Sequence, residues 1–170
     1  IGQIFDEISY EKGASVLRML ENYLGEKNFR NGVRRYLSRH QYGNTETKDL
    51  WTALSEESGQ DVAGLMDSWT KQLGYPVVEV RSASRLDGEE WQIKYTQKRF
   101  TYLPQDREQL WQIPITVIGG KSWAKVNSGQ SGFYRVRYGP KMQEALAGAM
   151  ERGELSTLDR IGLANDAYAL

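Results

Sequence analysis

Apolar positions between residues 10 and 74 recur every three or four residues, a spacing that predicts four amphipathic helices. We expect the first helix to end near Gly25, the third at Gly59 and the fourth at Gly74. Glycine readily adopts the left-handed conformation that closes a helix, which makes it a good stop signal. The first part of the chain is therefore predicted to be a small helical subdomain.

Residues that can cap a helix precede three of these segments. Ser9 is the predicted N-cap of the first helix, which places Tyr10 in its first turn. Thr45 or Thr47 is expected to cap the third helix, and Asp61 the fourth. A helix N-terminus carries unpaired amide donors and partial positive charge, so it suits a site that handles an oxyanion. From the residues alone, however, Tyr10 reads first as an ordinary half-buried helix tyrosine.

The pattern changes from helical to alternating or continuously apolar at Pro76. About five strands are predicted, the usual number for a small sheet or sandwich, at residues 77–80, 91–95, 110–118, 123–127 and 133–138. Asp87 and Gly88 predict a tight turn between the first two strands. Pro114 is expected at a sheet edge or a bulge because it has no amide hydrogen to donate.

Helical spacing returns after Pro140. The apolar stripe of this helix consists of Met142, Leu146 and Met150. Ser156 is predicted to cap a last helix, with Asp159 three residues later as in a capping box. That helix is still periodic at the last residue, and the first residue is isoleucine. We therefore expect both ends to be cuts through a longer protein.

Composition excludes several classes of function. The chain has 22 basic and 22 acidic side chains, and its net charge of zero does not favour nucleic acid or an anionic membrane. No apolar run approaches the ~20 residues of a membrane-spanning helix. Cysteine is absent, which excludes disulfides and thiolate metal sites. The single histidine, His40, excludes a multi-histidine metal centre in this chain and is expected to cap a helix end.

Six blocks of sequence occur in the order found in the M1 family of zinc aminopeptidases. Residues 5–20 read Phe-Asp-Glu-Ile-Ser-Tyr-Glu-Lys-Gly-Ala-Ser-Val-Leu-Arg-Met-Leu, and the other blocks lie at 49–51, 69–77, 111–116, 129–136 and 159–163. Together they resemble this family across nearly the whole chain, and its puromycin-sensitive branch most of all.

The resemblance implies a multi-domain α+β fold. Residues 1–75 would form the helical end of a thermolysin-like catalytic domain, residues 76–138 a β-sandwich, and residues 139–170 the first helices of an α-helical repeat domain. Family members carry further strands before their Trp-x-Lys-Val-Asn segment, whereas this chain passes from Ile118 to Trp123 almost at once. Either part of the sandwich is missing, or a tight hairpin replaces it.

The family binds zinc through His-Glu-x-x-His and a downstream glutamate, and neither motif occurs in this sequence. Zinc is therefore expected in the full-length enzyme and not on this chain. The family's tyrosine that donates a hydrogen bond to the tetrahedral oxyanion matches Tyr10. Phe5 either lines the substrate pocket or is a core residue. Residues 148–151, Gly-Ala-Met-Glu, imitate the family's Gly-x-Met-Glu-Asn amine-binding motif, but Met150 fits the stripe of a helix.

The implied function is part of a metallo-aminopeptidase that hydrolyses N-terminal residues from peptides, with the isolated chain inactive. Its partners would be the peptide substrate and the missing catalytic and C-terminal domains. Cytoplasmic localisation is favoured, although relatives include lumenal and membrane-anchored enzymes. The alternative is a non-catalytic interaction module of helices and a β-sandwich, or a truncated paralogue. A carbohydrate-binding sandwich, a third hypothesis, requires exposed Trp91 or Trp123.

Overall fold

The structure is a computed structural model that describes residues 7–86, 90–103 and 109–170. Within these residues the helices are α1 (Glu7–Leu24), α2 (Glu26–Arg39), α3 (Thr47–Ser58), α4 (Val62–Thr70), α5 (Pro140–Glu151) and α6 (Thr157–Ala169). The strands are β1 (Pro76–Leu86), β2 (Glu90–Arg99), β3 (Val117–Gly119), β4 (Ala124–Val126) and β5 (Arg135–Arg137). Phe5 and the predicted turn at Asp87 and Gly88 lie outside the described residues.

The chain forms two compact units. The first comprises the residues up to Leu73 together with Trp111–Pro114, and the second comprises Gly74–Leu110 and Ile115–Leu170. The fold is thus a mixture of helices and small sheets, as expected for an α+β chain. The division into three domains, with boundaries after residues 75 and 138, stays a prediction.

The four predicted helices of the first unit are present. Gly25 and Gly59 close α1 and α3 with φ angles of 80° and 70°, which confirms them as stop residues. The fourth boundary is wrong, because α4 already ends at Thr70. Gly74 still adopts a positive φ of 83°, but it does so beyond the end of that helix.

Two of the predicted N-caps are wrong. Because α1 already begins at Glu7, Ser9 lies inside the helix. The N-cap of α3 is Glu46, whose amide donates to Asp49 Oδ2 over 2.8 Å, so neither Thr45 nor Thr47 has that role. Asp61 is confirmed as the cap of α4, because its Oδ1 accepts a hydrogen bond from the Gly64 amide over 2.9 Å.

The core of the first unit lies between its helices. Its fully buried side chains include Met19, Leu20, Leu54, Val62, Met66 and Trp69. Helices α2 and α3 approach closely at Gly32, where an added Cβ would lie 2.6 Å from Leu54 Cδ2 and 3.0 Å from Leu54 Cα. A side chain at residue 32 would therefore push the two helices apart.

The segment Trp111–Pro114 packs on α4 instead of forming the predicted strand. The Trp69 indole donates from Nε1 to the carbonyl of Gln112 over 2.9 Å, and the Gln112 amide donates to Ser68 Oγ over 3.1 Å. Side chains of α4 thus satisfy backbone groups that a neighbouring strand would otherwise pair. The predicted strand at 110–118 is reduced to β3, and Pro114 lies in irregular structure, not at a sheet edge or bulge.

The second unit contains a three-stranded sheet in the order β2–β1–β5. Strands β1 and β2 pair antiparallel with an irregularity between Val80 and Ser82, and β5 pairs parallel to β1. Strands β3 and β4 form a separate antiparallel hairpin, which the Gly120 amide closes by donating to the Trp123 carbonyl over 2.9 Å. A tight hairpin therefore occupies the shortened connection. That these strands form a sandwich stays a prediction.

Helices α5 and α6 follow in the same unit. Pro140 begins α5, where its missing amide hydrogen costs nothing. The predicted cap of α6 is confirmed, because Ser156 Oγ accepts from the Asp159 amide over 3.2 Å. Among the helices of the described ranges, none is both long and apolar enough to cross a membrane.

Candidate active site

Tyr10 is the fourth residue of α1 and lies in the first turn of that helix. Its side chain is 60% exposed, more than the half-buried position expected from the sequence. From Tyr10 onward, the buried side chains of α1 are Val16, Met19, Leu20 and Leu24. The phenol therefore lies on the surface of the first unit, where a ligand can reach it.

The position of Tyr10 suits hydrogen-bond donation to a developing negative charge. A phenolic hydroxyl is a directed donor, and the amides in the first turn of a helix add partial positive charge nearby. Donors arranged in this way stabilise the oxyanion of an acyl-transfer transition state. The described geometry thus allows the chemistry that the family resemblance implies for Tyr10.

Lys12 is the half-buried residue next to this site. Its ammonium Nζ donates to the backbone carbonyl of Gln72 over 3.2 Å. Burial lowers the pKa of Lys12 below its ordinary value. Gly13, which follows, has no atom within 4 Å of an added Cβ in the described part of the chain. A glycine inside a helix is often explained by the close approach of another backbone. The described part of the chain shows no such approach at Gly13.

The residues that the structure describes do not fit a catalytic zinc site, which normally takes three protein ligands. The only histidine of the sequence, His40, follows α2, and its amide donates to the Tyr36 carbonyl over 3.2 Å. Its ring lies 5.5 Å from the Tyr36 ring. Within the described ranges, no three His, Cys, Asp or Glu side chains come together in a way that could hold a metal ion.

Two other sequence features have structural roles. Residues 148–151, which imitate the amine-binding motif, are helical and end α5. Trp123 is buried, and its indole Nε1 donates to Glu154 Oε2 over 2.5 Å, so it offers no exposed face to a sugar. Trp91 is half-buried.

A buried polar cluster in the second unit was not recognised from the sequence. We call it the Lys125–Asp159 cluster, and it consists of Lys125, Asn127, Gly129, Ser156 and Asp159. Lys125 is 1% exposed, and its Nζ lies 3.0 Å from Asp159 Oδ1 and 2.7 Å from the Asn127 carbonyl. The same Oδ1 accepts from the Gly129 amide over 2.7 Å, and Oδ2 accepts from Ser156 Oγ over 2.6 Å.

Opposing effects set the ionisation of this cluster. Burial disfavours the charge of Asp159, but the hydrogen bonds from Ser156, Gly129 and Lys125 outweigh it and lower the pKa of Asp159. Burial also lowers the pKa of Lys125, against the attraction of Asp159. Because these polar groups bind one another, the cluster joins the loop at 127–132 to α6 and serves as a structural element.

The sequence carried one signal for this cluster. The blocks at 129–136 and 159–163, singled out by resemblance, contain the amide and the carboxylate that meet here. Asp159 was expected to act only as part of a helix cap. Lys125 belongs to the Trp-x-Lys-Val-Asn segment named by resemblance, but its burial was not predicted, because a lysine between Ala124 and Val126 in a short strand gives no sign of burial.

Comparison with known proteins identifies two domains. The Peptidase family M1 domain matches residues 1–69, and the ERAP1-like C-terminal domain matches residues 123–170. Tyr10, Lys12 and α1 fall within the first match, and the Lys125–Asp159 cluster falls within the second.

Individual relatives match over the whole chain. The chain is 40% identical to puromycin-sensitive aminopeptidase of Caenorhabditis elegans over 100% of its length, and this covers 21% of that protein. It is 44% identical to tricorn protease-interacting factor F2 of Thermoplasma acidophilum over 99% of its length and 22% of the relative. It is 37% identical to aminopeptidase M1 of Arabidopsis thaliana over 100% of its length and 23% of the relative.

The chain thus spans about a fifth of the length of the curated relatives it matches. The match to the Caenorhabditis elegans protein extends over 198 residues, more than the 170 residues of this chain. That relative therefore carries residues within the matched region that this chain lacks. The shortened connection between Ile118 and Trp123 is the predicted place for part of this difference.

Proposed function

The chain belongs to peptidase family M1 through its residues 1–69, and on that premise we propose that it is part of a zinc aminopeptidase. The complete enzyme removes N-terminal residues from peptides, and this chain supplies the hydrogen-bond donor for the transition state. The observation that carries the proposal is the exposed Tyr10 in the first turn of α1, inside the matched region.

The proposed role of Tyr10 is electrostatic. As a nucleophile adds to the peptide carbonyl, negative charge develops on the carbonyl oxygen, and the Tyr10 hydroxyl donates a hydrogen bond to it. Removing one such donor typically costs about 10²–10³ in kcat. The metal ligands are proposed to come from residues outside this chain, because its sequence has no His-Glu-x-x-His and its described residues bring no three ligands together. Phe5 is proposed to line the substrate pocket near this tyrosine.

The remaining parts of the proposal concern organisation. Residues 1–75 complete the catalytic domain, residues 76–138 form a linking β-sandwich, and residues 139–170 begin the C-terminal helical domain. The match at 1–69 supports the first part. The match at 123–170 supports the third part and begins 16 residues before it, within the proposed sandwich. The likeness to puromycin-sensitive aminopeptidase supports aminopeptidase activity. A cytoplasmic location is part of the proposal.

The central test is Tyr10→Phe in the complete enzyme. We expect kcat to fall about 10²–10³-fold while KM changes little, because the lost hydrogen bond forms mainly in the transition state. Tyr23→Phe is the matched control. Tyr23 lies on the same helix, is 46% exposed and donates its hydroxyl to Gln60 Oε1 over 3.2 Å. An unchanged kcat for Tyr10→Phe would remove Tyr10 from the mechanism.

A second test addresses the isolated chain. Titrated with zinc and supplied with an aminoacyl reporter substrate, it should bind no stoichiometric zinc and release no product. Hydrolysis by the isolated chain would contradict the placement of the metal ligands outside it. If the complete protein itself hydrolyses no aminoacyl substrate in the presence of zinc, a non-catalytic interaction module becomes the better interpretation.

A further inference from the structure

The side chains of α1 between Tyr10 and Ser15 are exposed or half-buried. From Tyr10 onward, the first buried side chain of this helix is Val16, six residues after the exposed Tyr10. Lys12 lies between them and is half-buried, with its ammonium on the carbonyl of Gln72 at 3.2 Å. This hydrogen bond joins the first turns of α1 to a segment 60 residues further along the chain.

The Gln72 carbonyl, which accepts the hydrogen bond from Lys12, lies just after the C-terminal end of α4, where a cation is favoured. Helix α4 ends at Thr70, and Gln72 follows its C-cap residue Lys71. The C-terminal end of a helix carries partial negative charge, which attracts an ammonium group. The contact between Lys12 and the Gln72 carbonyl is therefore a charge-assisted hydrogen bond, stronger than one between neutral groups.

Helix geometry relates this contact to Tyr10. Lys12, Val16 and Leu20 are spaced four residues apart, so Lys12 extends the buried face of α1 toward its N-terminus. Tyr10 lies two residues before Lys12, which is about 200° around the helix. The lysine therefore contacts the interior of the first unit from one side while the tyrosine projects from roughly the opposite side.

We propose that Lys12 is a positioning residue for Tyr10. By bonding to the Gln72 carbonyl, it fixes the rotation and tilt of the first turns of α1. The direction of the phenol follows, because only Glu11 lies between Tyr10 and Lys12. This inference rests on the proposed function of Tyr10. Misplacement of a reacting group by about 1 Å can cost up to ~10²-fold in rate, so a modest loosening of the turn should be measurable.

The test uses the complete enzyme with Lys12→Met, which keeps the length of the side chain and removes the donor. We expect kcat to fall about tenfold with little change in KM, since the loss concerns transition-state geometry. Lys12→Arg should restore most of kcat because a guanidinium can reach the same carbonyl. Lys48→Met is the matched control, because Lys48 is an exposed lysine of the same unit whose ammonium pairs with Glu46 over 2.8 Å.

The discriminating measurement places Lys12→Met in the Tyr10→Phe background. If Lys12 acts through the tyrosine hydroxyl, kcat should not fall further once that hydroxyl is gone. Equal losses in both backgrounds would overturn the proposal, because they would show a general structural effect. Thermal unfolding of each variant accompanies the kinetics. If Lys12→Met does not fold, Lys12→Gln, whose amide is too short for the carbonyl, replaces it.

The two proposals can fail separately. If Tyr10→Phe lowers kcat and Lys12→Met does not, only the positioning role is refuted. If Tyr10→Phe leaves kcat unchanged, the proposed function of Tyr10 is refuted and the positioning role falls with it.

Discussion

Replacing Asp159 by Asn should strongly destabilise the second unit. Asn has nearly the same shape, so the substitution removes charge without creating a cavity. Lys125 is 1% exposed and Asp159 3% exposed, and their charged atoms are 3.0 Å apart. After the substitution, the ammonium of Lys125 would stay buried without the carboxylate that it contacts, and the charge of Asp166 would still attract it from a greater distance. Removing one partner of a buried ion pair typically costs about 3–5 kcal/mol.

Urea unfolding measures this effect. For a small domain the free energy of unfolding falls by about 1–3 kcal/mol per molar urea, so a loss of this size lowers the midpoint by roughly 2 M. Asp67→Asn is the matched control, because Asp67 pairs with Lys71 over 2.7 Å on the exposed surface of α4. Exposed pairs contribute about 0–1 kcal/mol, so this control should hardly move the midpoint.

A second substitution separates charge from packing. Adding Lys125→Met to Asp159→Asn removes the uncompensated ammonium, so it should recover much of the lost stability. If Asp159→Asn costs no more than Asp67→Asn, the buried pair does not stabilise the fold as argued. If the double variant is less stable than Asp159→Asn alone, shape and not charge governs the site.

Two further predictions concern stability. Gly32→Ala should destabilise the chain by about 1–3 kcal/mol, because the added methyl group would overpack against α3. Gly13→Ala should stabilise the chain by about 0.5–1 kcal/mol, because the added methyl group meets no neighbouring atom and alanine favours a helix. Thermal unfolding of both variants measures whether the two effects have opposite signs. Because the pKa of Asp159 is lowered in the folded state, its contribution is fully present above its unfolded pKa of ~4 and is lost as the pH falls through the folded pKa. The difference in unfolding free energy between the wild type and Asp159→Asn should therefore shrink below about pH 4, and a difference that stays constant would contradict this assignment.

The helices were predictable because their signals are local. Apolar spacing located α1 to α4, and Gly25 and Gly59 close helices where glycine was expected to do so. The N-caps were less predictable. If a helix begins even a few residues earlier than predicted, a different residue becomes its N-cap. Both Ser9 and Thr47 therefore lie inside helices and do not precede them.

The strand prediction at 110–118 was wrong for a non-local reason. An apolar run does not reveal whether its backbone will pair with a strand or with side chains, and here Ser68 and Trp69 provide the partners for Gln112. The sheet in the second unit was better predicted, although β1 and β2 extend well beyond the apolar cores of their patterns.

The candidate site was predictable in part. Tyr10 was singled out by resemblance, because a tyrosine near a helix start has no distinctive pattern of its own. The anchor provided by Lys12 could not be predicted, since its partner is a backbone carbonyl 60 residues away that leaves no trace in residue types. The burial of Lys125 was hidden for the same reason, because the carboxylate it meets belongs to a later helix.

The return of Trp111–Pro114 to the first unit has a consequence for biosynthesis. The helical unit is encoded by two separated stretches, with the β1–β2 hairpin between them. A growing polypeptide therefore leaves the indole of Trp69 without its carbonyl acceptor until Gln112 has emerged from the ribosome. The pattern of the sequence suggests a boundary at residue 75. A protein expressed only up to that residue would lack Trp111–Pro114, so the surface of α4 that this segment covers would be exposed and prone to aggregation.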